Sequence, residues 1–300
     1  MNNSFSVTIR QTVVLDSLPS GSGLIWEGGN AYVVGDDATS LLKISDDLQQ
    51  IHRIHITGQP DTVFKISKAI KPDYESAVSG EIDGQSSLFA FGSGSLPARE
   101  QLLQVSLANG QNQHVASLST LYAAIRTELH LPDSTMNIEG AARCKGWLYL
   151  FLRKENIAVR MLWTDFVQYL DSGAIPQFKH QVIRLPTYNG ISAGFSGAAE
   201  VAQDGNQLLF CASLENTANA IDDGEITGSY IGVLRMQDNG ELILEATTLL
   251  KDTAGNIVKE KIESIAITGK KENGDITAML VADNDGATTT LFKIHISTSQ

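Results

Sequence analysis

A short motif that recurs five times restricts the folds open to this chain more than any other feature of its sequence. Each copy is a Ser or Glu, then a tiny residue, then an aliphatic run. The copies lie at 22–25, 75–78, 139–142, 196–199 and 263–266, with first residues 53 to 67 positions apart. A unit repeated at such a distance buries its apolar face against the next copy, so we expect a repeat architecture.

Two more apolar runs follow each copy, and most copies have a fourth run. Runs of this length bounded by Gly, Asp, Asn and Ser are typical of β-strands. The fourth runs lie at 51–56, 114–118, 180–185 and 242–249, and the last copy lacks one. The N-terminal segment 6–15 has strand character and supplies the missing strand. The sequence therefore predicts an all-β fold, a β-propeller of four-stranded blades closed by the N-terminal strand.

The repeat also predicts the extent of each blade within one domain, 1–300. The predicted blades are 20–56, 74–118, 137–185, 195–249, and 261–296 together with 6–15. Apolar residues at helical spacing predict a helical insertion at 119–131 and a second short helix at 163–170. Five blades are favoured, while a degenerate sixth blade within 108–136 or 163–192 stays open.

The first residues of the five copies, which we call the anchors, should surround one mouth of the central channel. In a propeller the start of each inner strand and the loop after the second strand open on the same face. The anchors are Ser22, Glu75, Glu139, Ser196 and Glu263. The loops form an outer ring that includes Asp36-Asp37, Gly92-Ser93-Gly94, Arg153-Lys154-Glu155, Ser213, Glu215-Asn216 and Asp283-Asn284-Asp285. Lys68 and Lys71 precede the second anchor and belong on the same rim.

Three glutamates that point at one axis repel each other unless a proton, a basic neighbour or a hard cation neutralises them. A calcium or magnesium ion takes oxygen ligands and can activate water for hydrolysis. The candidate ligands are Glu75, Glu139, Glu263, Asp36 and Asp283. The candidate substrate-binding residues are Lys68, Lys71, Arg153, Ser22 and Ser196. Two alternatives stay open: each glutamate caps amides or pairs with a nearby base, or two carboxyl groups act as acid and base.

Net charge and hydropathy restrict the kinds of partner that this protein can bind. A net charge of −12 and a pI near 4.9 argue against binding to nucleic acid, which needs a basic surface, and are compatible with attracting cations. No run of 18 apolar residues exists, so we expect no membrane span. The start lacks a secretory leader, which predicts a cytoplasmic protein, or a secreted or periplasmic one if a leader was removed. Cys144 and Cys211 are interpreted as buried thiols, with a disulfide left open.

Several short segments, taken in their order along nearly the whole chain, resemble an uncharacterised bacterial β-propeller family. The segments are Ser22-Gly23-Leu24 with Tyr32-Val33-Val34-Gly35-Asp36-Asp37, Lys71-Pro72-Asp73-Tyr74-Glu75-Ser76, Asn137-Ile138-Glu139-Gly140-Ala141 and Ile262-Glu263-Ser264-Ile265-Ala266. The wider relatives of that family are similar to esterase-like phytases and calcium-dependent phosphotriesterases, which can hold a cation at the channel mouth and often have six blades. The resemblance implies cation ligands at Glu75, Glu139 and Glu263, whereas Ser22 and Ser196 depart from the Glu pattern.

Two functions follow from these observations. One is a metal-assisted hydrolase of a small phosphate ester, lactone or similar ester at the channel mouth. The other is a non-catalytic propeller that binds a small-molecule ligand or a protein partner with the same face. The sequence does not choose between them.

Overall fold

The chain is built mainly of β-strands. The computed structural model describes residues 5–56, 58, 65–82, 84–108, 110, 112–132, 136–201, 205–216, 224–284 and 288–298. In chain order the strands are β1 (Phe5–Leu15), β2 (Gly21–Glu27), β3 (Asn30–Gly35), β4 (Ser40–Ser45), β5 (Ile51–His55), β6 (Tyr74–Ile82), β7 (Gln85–Gly92), β8 (Gln101–Ser106), β9 (Gln113–Ser117), β10 (Ile138–Cys144), β11 (Trp147–Leu152), β12 (Ile157–Leu162), β13 (Phe178–Val182), β14 (Thr187–Tyr188), β15 (Ile191–Ser192), β16 (Gly194–Glu200), β17 (Gln207–Asn216), β18 (Glu225–Met236), β19 (Leu242–Leu249), β20 (Lys261–Lys270), β21 (Ile276–Asp283) and β22 (Thr289–Thr298). The helices are α1 (Ser119–Leu129), α2 (Trp163–Ser172) and a 3₁₀ turn at Pro97–Arg99.

Within these ranges, the strands form five antiparallel four-stranded sheets and a short ribbon, β14–β15. The sheet orders are β2-β3-β4-β5, β6-β7-β8-β9, β10-β11-β12-β13, β16-β17-β18-β19 and β20-β21-β22-β1. The inner strands β2, β6, β10, β16 and β20 each contact the next one, and β20 contacts β2, so the ring is closed. The prediction of a five-bladed β-propeller is confirmed. Strand β1 completes the last blade by pairing with β22, with Leu15 opposite Thr289.

Apolar packing joins each blade to its neighbours. The buried apolar side chains of the described residues form five clusters, each shared by two adjacent blades. Between the third and fourth blades, the ring of Phe195 lies 4.8 Å from that of Phe151 and 5.3 Å from that of Phe210. Removing this apolar surface from water supplies the main driving force that holds blades together. Cys144 and Cys211 belong to two of these clusters as free, buried thiols.

The tiny residue after each anchor is explained by close approach of the inner strands. A Cβ on Gly197 would lie 2.7 Å from the Cα of Ser264, and one on Gly23 would lie 3.2 Å from the Cβ of Ala77. The distance at Gly197 excludes any side chain unless the strands move, and the distance at Gly23 is tight even for a methyl group. The repeat therefore records the crowding around the channel axis.

The two helices pack between the second and third blades. Tyr122 of α1 donates a hydrogen bond to the carbonyl of Gly92, and Phe166 of α2 lies 5.6 Å from the ring of Phe91. Helix α2 ends at Gly173, whose positive φ of 73° suits a left-handed C-terminal cap. The two stretches in which a sixth blade was possible contain these helices and the outer strands β9 and β13, and the described residues contain no sixth sheet of this kind. Among the same residues, no helix has the length and apolar character that crossing a membrane requires.

Candidate functional site

Each inner strand carries a β-bulge near its start, and in all five blades the extra residue is the anchor of the repeat. In the second blade Tyr74 pairs with Gly92 and Ser76 with Phe91, so Glu75 has no partner across the ladder. The registers of the other four inner strands skip Ser22, Glu139, Ser196 and Glu263 in the same way. A bulge takes one side chain out of the normal alternation of a strand and redirects it. The anchors are therefore set apart by backbone geometry as well as by sequence.

The two serine anchors connect neighbouring blades. Ser22 Oγ donates a 2.5 Å hydrogen bond to the carbonyl of Tyr74, and Ser196 Oγ donates a 2.5 Å bond to the carbonyl of Ile262. Both serines are buried, and each accepting residue directly precedes the glutamate anchor of the next blade. These contacts give a structural reason for serine at two of the five positions.

Two of the three glutamate anchors are buried and paired with bases. Arg153 forms ion pairs with Glu139 and, at 2.7 Å, with Glu215. Lys261 lies 2.7 Å from a carboxylate oxygen of Glu263. These contacts match the alternative in which a basic neighbour neutralises the glutamate, and they occupy Arg153, one of the predicted substrate-binding residues.

Glu75 differs from the other two glutamates. Its side chain is partly exposed, and in the described part of the chain no lysine or arginine forms an ion pair with it. One carboxylate oxygen each from Glu75, Asp36 and Asp73 lie within 4.8 Å of one another. We call these three residues the carboxylate cluster. Such a group offers the oxygen ligands that hard divalent cations bind.

Lys71 and Arg99 balance part of the charge of the carboxylate cluster. The Lys71 ammonium forms ion pairs with Asp36 and, at 2.6 Å, with Asp73. Arg99 Nη1 lies 2.9 Å from the other oxygen of Asp73. Asp36 Oδ1 is buried and accepts no hydrogen bond from the described residues. The cluster therefore keeps one unsatisfied oxygen and one carboxylate, that of Glu75, that forms no ion pair with a described residue, although the charge of Lys71 acts on it.

Burial changes the protonation of the carboxylate cluster. It raises the pKa of Asp36 to about 7, against the opposing charge of Lys71. It also raises the pKa of Glu75 well above its usual range, and the negative charges of Asp73 and Asp36 add to this effect. Burial opposes the charged form of Lys71, but the carboxylates of Asp36, Glu75 and Asp73 overcome it and raise the pKa of the ammonium.

The third glutamate anchor belongs to the same electrostatic system. Burial raises the pKa of Glu263 to about 7; Lys261 and Arg153 act against this shift and Glu139 adds to it. Glu263 also raises the pKa of Glu75. The structure thus brings the three glutamate anchors to one end of the channel, where their charges act on each other.

Acidic groups outnumber basic groups at this mouth. Among the described residues that form its ion pairs and carboxylate cluster, the acids are Asp36, Asp37, Asp73, Glu75, Glu139, Glu215 and Glu263. The bases are Lys65, Lys71, Arg99, Arg153 and Lys261. With every group ionised, seven negative charges face five positive ones, so protons or a bound cation are needed to balance the rest.

Two predicted residues lie on the rim beside the carboxylate cluster. Asp283 is opposite Lys261 in the sheet and acts on the charge of Lys65, but it is outside the cluster. Lys68 is exposed, and its carbonyl accepts a 3.2 Å hydrogen bond from Arg99. Asp285, part of the predicted outer ring, lies outside the described residues.

Sequence reasoning assigned no role to Asp73 or Lys261. Both stand just before a glutamate anchor, at two residues' distance, and that position was the available signal. Asp73 also has a positive φ of 57°, and its amide donates to the carbonyl of Asp36. This backbone conformation, which the sequence does not reveal, brings the two aspartates together.

Comparison with known proteins gives a family and a set of distant fold neighbours. A family model described as "Family of unknown function (DUF6929)" matches residues 17–296. None of the curated proteins matches the chain. Similar solved structures include glutaminyl cyclase from Myxococcus xanthus, with 10% identity over 98% of this chain and 97% of that one and a TM-score of 0.48. They also include arabinanase Arb43A from Bacillus subtilis (12% identity, 98% of this chain and 97% of that one, TM-score 0.46) and the tail fibre of Staphylococcus aureus phage P68 (12% identity, 97% of this chain and 52% of that one, TM-score 0.49).

Proposed function

This chain belongs to DUF6929, a family of unknown function, and we propose that it binds a divalent cation, Ca²⁺ or Mg²⁺, at the carboxylate cluster and hydrolyses a small ester there. The substrate class is a phosphate ester, a lactone or a similar small ester. One observation carries the proposal: oxygens of Asp36, Asp73 and Glu75 lie within 4.8 Å of one another, and Glu75 has no basic partner among the described residues.

The ligand set is Asp36, Asp73 and Glu75. Asp36 and Glu75 were expected from the sequence, and Asp73 replaces Glu139 and Glu263, which already pair with Arg153 and Lys261. A buried oxygen without a partner is unfavourable, and a cation beside Asp36 Oδ1 removes that penalty. When the carboxyl groups at the mouth are ionised, their excess over the bases adds a general attraction for cations.

Lys71 has two roles in this proposal. Its ammonium forms ion pairs with Asp36 and Asp73, so it competes with a cation for the same carboxylate oxygens. Once displaced, it is a positive charge at the edge of the site and can hold the anionic part of a substrate, as predicted from the sequence. The cation supplies Lewis acidity and lowers the pKa of water. We leave Ser22 and Ser196 out of the binding set because both donate to main-chain carbonyls.

Thermal melting with added cation tests the ligand set. A cation at about 100 times its Kd stabilises a protein by about 2.7 kcal/mol, which raises the melting temperature measurably. We expect Ca²⁺ or Mg²⁺ to stabilise the wild type and Asp283→Asn, a matched rim control outside the cluster, but not Glu75→Gln. No bound divalent ion in metal analysis and no melting shift in the wild type would overturn the proposal. An equal shift in Glu75→Gln would overturn the ligand set.

Catalysis is tested separately on the cation-loaded protein. We expect hydrolysis of p-nitrophenyl phosphate, p-nitrophenyl acetate or a simple lactone that a chelator abolishes and that Glu75→Gln lacks.

The second candidate, cation or ligand binding without catalysis, is favoured by the ion pairs that already fix Glu139, Glu263 and Asp73. A cation-dependent melting shift with no turnover of any of the three substrates would support it.

A further inference from the structure

A cavity of about 710 Å³ occupies the other end of the central channel. The inner strands start at the anchors and run away from them, so their final residues surround this cavity. Alanines from four of the blades line it, namely Ala77, Ala141, Ala198 and Ala266, but polar atoms form most of its surface. A volume of roughly 300–1,000 Å³ is typical of small-molecule sites.

Arg143 of β10 lines this cavity and is held in place from two sides. Its Nη1 donates a 2.9 Å hydrogen bond to the carbonyl of Ser79. The guanidinium lies 4.3 Å from the ring centre of Trp163, a cation–π contact. These contacts orient the planar group before any ligand arrives.

The guanidinium of Arg143 keeps unused hydrogen-bonding capacity. Across the described ranges, no carboxylate forms an ion pair with it, and its buried Nε has no acceptor. Burial lowers the pKa of Arg143, while the more distant charges of Glu200 and Glu81 raise it. The buried Nε does not face the cavity, but a half-buried guanidinium without an ion pair is stabilised by an oxyanion, because its donors match the oxygens of a carboxylate or phosphate.

The remaining lining residues limit the charge and shape of such a ligand. Lys145 and Lys270 add positive charge at the rim, and Glu27, Glu81 and Glu200 add negative charge. Carboxylates so close to the anion site disfavour a ligand with several negative charges. Trp26 and the alanines form the apolar part of the lining, which can contact a compact apolar body.

We propose that this cavity binds a small organic molecule that carries one oxyanion group on an apolar body, with the guanidinium of Arg143 as the binding anchor. The oxyanion is a carboxylate or a phosphate-type group. The site is at the opposite end of the channel from the carboxylate cluster, so it does not depend on the proposed hydrolase.

Calorimetric titration with three matched probes tests this inference: benzoate, phenylphosphonate and the neutral benzyl alcohol. We expect at least one anion to bind about tenfold or more tightly than benzyl alcohol, since hydrogen bonds to charged groups are strong. The better anion identifies the oxyanion class. Arg143→Met should weaken that anion about tenfold or more, whereas Lys65→Met, a lysine change at the carboxylate-cluster end, should leave it unchanged.

Two further measurements keep the test decisive if Arg143→Met fails to fold. Arg143→Lys keeps the positive charge but loses the forked donors of the guanidinium. Its affinity for the better anion should therefore fall between that of the wild type and that of Arg143→Met. Binding should also quench tryptophan fluorescence, and Trp26→Phe should reduce the quench. Failure of both anions to bind the wild type, or full affinity in a folded Arg143→Met or Arg143→Lys protein, would overturn the proposal.

Discussion

The two ends of the channel are built from the same five inner strands. Ion-paired side chains fill one end, whereas small side chains leave a cavity at the other. At the start of the strands, bulges redirect the anchors, and ion pairs such as Arg153 with Glu139 fill the space. Towards the end of the strands the alternation is regular in four blades and interrupted at Thr268 in the fifth, and alanines such as Ala198 and Ala266 leave a cavity. The comparison indicates that one extra residue near the start of each inner strand makes the two ends of a single ring chemically distinct.

The largest expected effect comes from exchanging the arginine at the charged end. Arg153→Met leaves the buried carboxylate of Glu139 and the half-buried one of Glu215 without their basic partner, which should cost about 3–5 kcal/mol of unfolding free energy. Arg143→Met at the open end removes one hydrogen bond and a ring contact, so it should cost only about 1–2 kcal/mol. Urea denaturation of both variants measures the contrast. Equal losses would mean that the two ends do not differ in this way.

A methyl group on the tiny residue after an anchor should have the next largest effect. In Gly197→Ala the new Cβ meets the Ser264 Cα at 2.7 Å and the Glu263 carbonyl oxygen at 2.8 Å, so two inner strands must separate. We expect a loss of about 1–3 kcal/mol. Gly140→Ala is the matched control, because its nearest contacts are 3.2 to 3.4 Å and should cost less. The reverse order in chemical denaturation would contradict this account of the tiny residue.

The serine anchors should contribute smaller amounts. Ser22→Ala removes the hydroxyl that donates a hydrogen bond to the carbonyl of Tyr74. We expect the free energy of unfolding to fall by about 1 kcal/mol. Ser196→Ala should cost less, since Ser213 Oγ donates a second hydrogen bond, at 2.9 Å, to the same Ile262 carbonyl. Thermal melts of the two variants compare them directly. A larger loss for Ser196→Ala would show that the second donor does not compensate.

The smallest effect is a change in how stability depends on pH. Glu263 has a folded-state pKa of about 7, above the ordinary 4.5, so it adds stability that is complete below about pH 4.5 and is lost as the pH rises to about 7. Glu263→Gln cannot ionise, so its stability should fall less over this range than that of the wild type. Melting curves between pH 4.5 and 7.5 measure the slope, with Asp283→Asn as the control. Parallel curves for Glu263→Gln and the wild type would contradict the assigned shift.

Much of the fold could be predicted because the sequence repeat is a consequence of how the inner strands and neighbouring blades pack. The residue after each anchor must be tiny where inner strands meet, and the apolar runs must face neighbouring blades, so both leave a periodic trace. The candidate site was less predictable. Which base pairs with which carboxylate depends on the bulges and on backbone such as the positive φ of Asp73, and these leave no periodic trace. The cavity was not predicted from the sequence, because it arises where alanine side chains are too small to fill the channel.

The pairing of β1 with β22, which closes the ring, has a consequence for folding during protein synthesis. Leu15 lies opposite Thr289, so the first strand of the ring to be synthesised pairs with the last one. At about 5–20 residues per second, the interval is on the order of tens of seconds. During that time β1 is an unpaired edge that can associate with other chains. The polar side chains of Ser6, Thr8, Arg10 and Gln11 along it limit that risk while the nascent ring is incomplete.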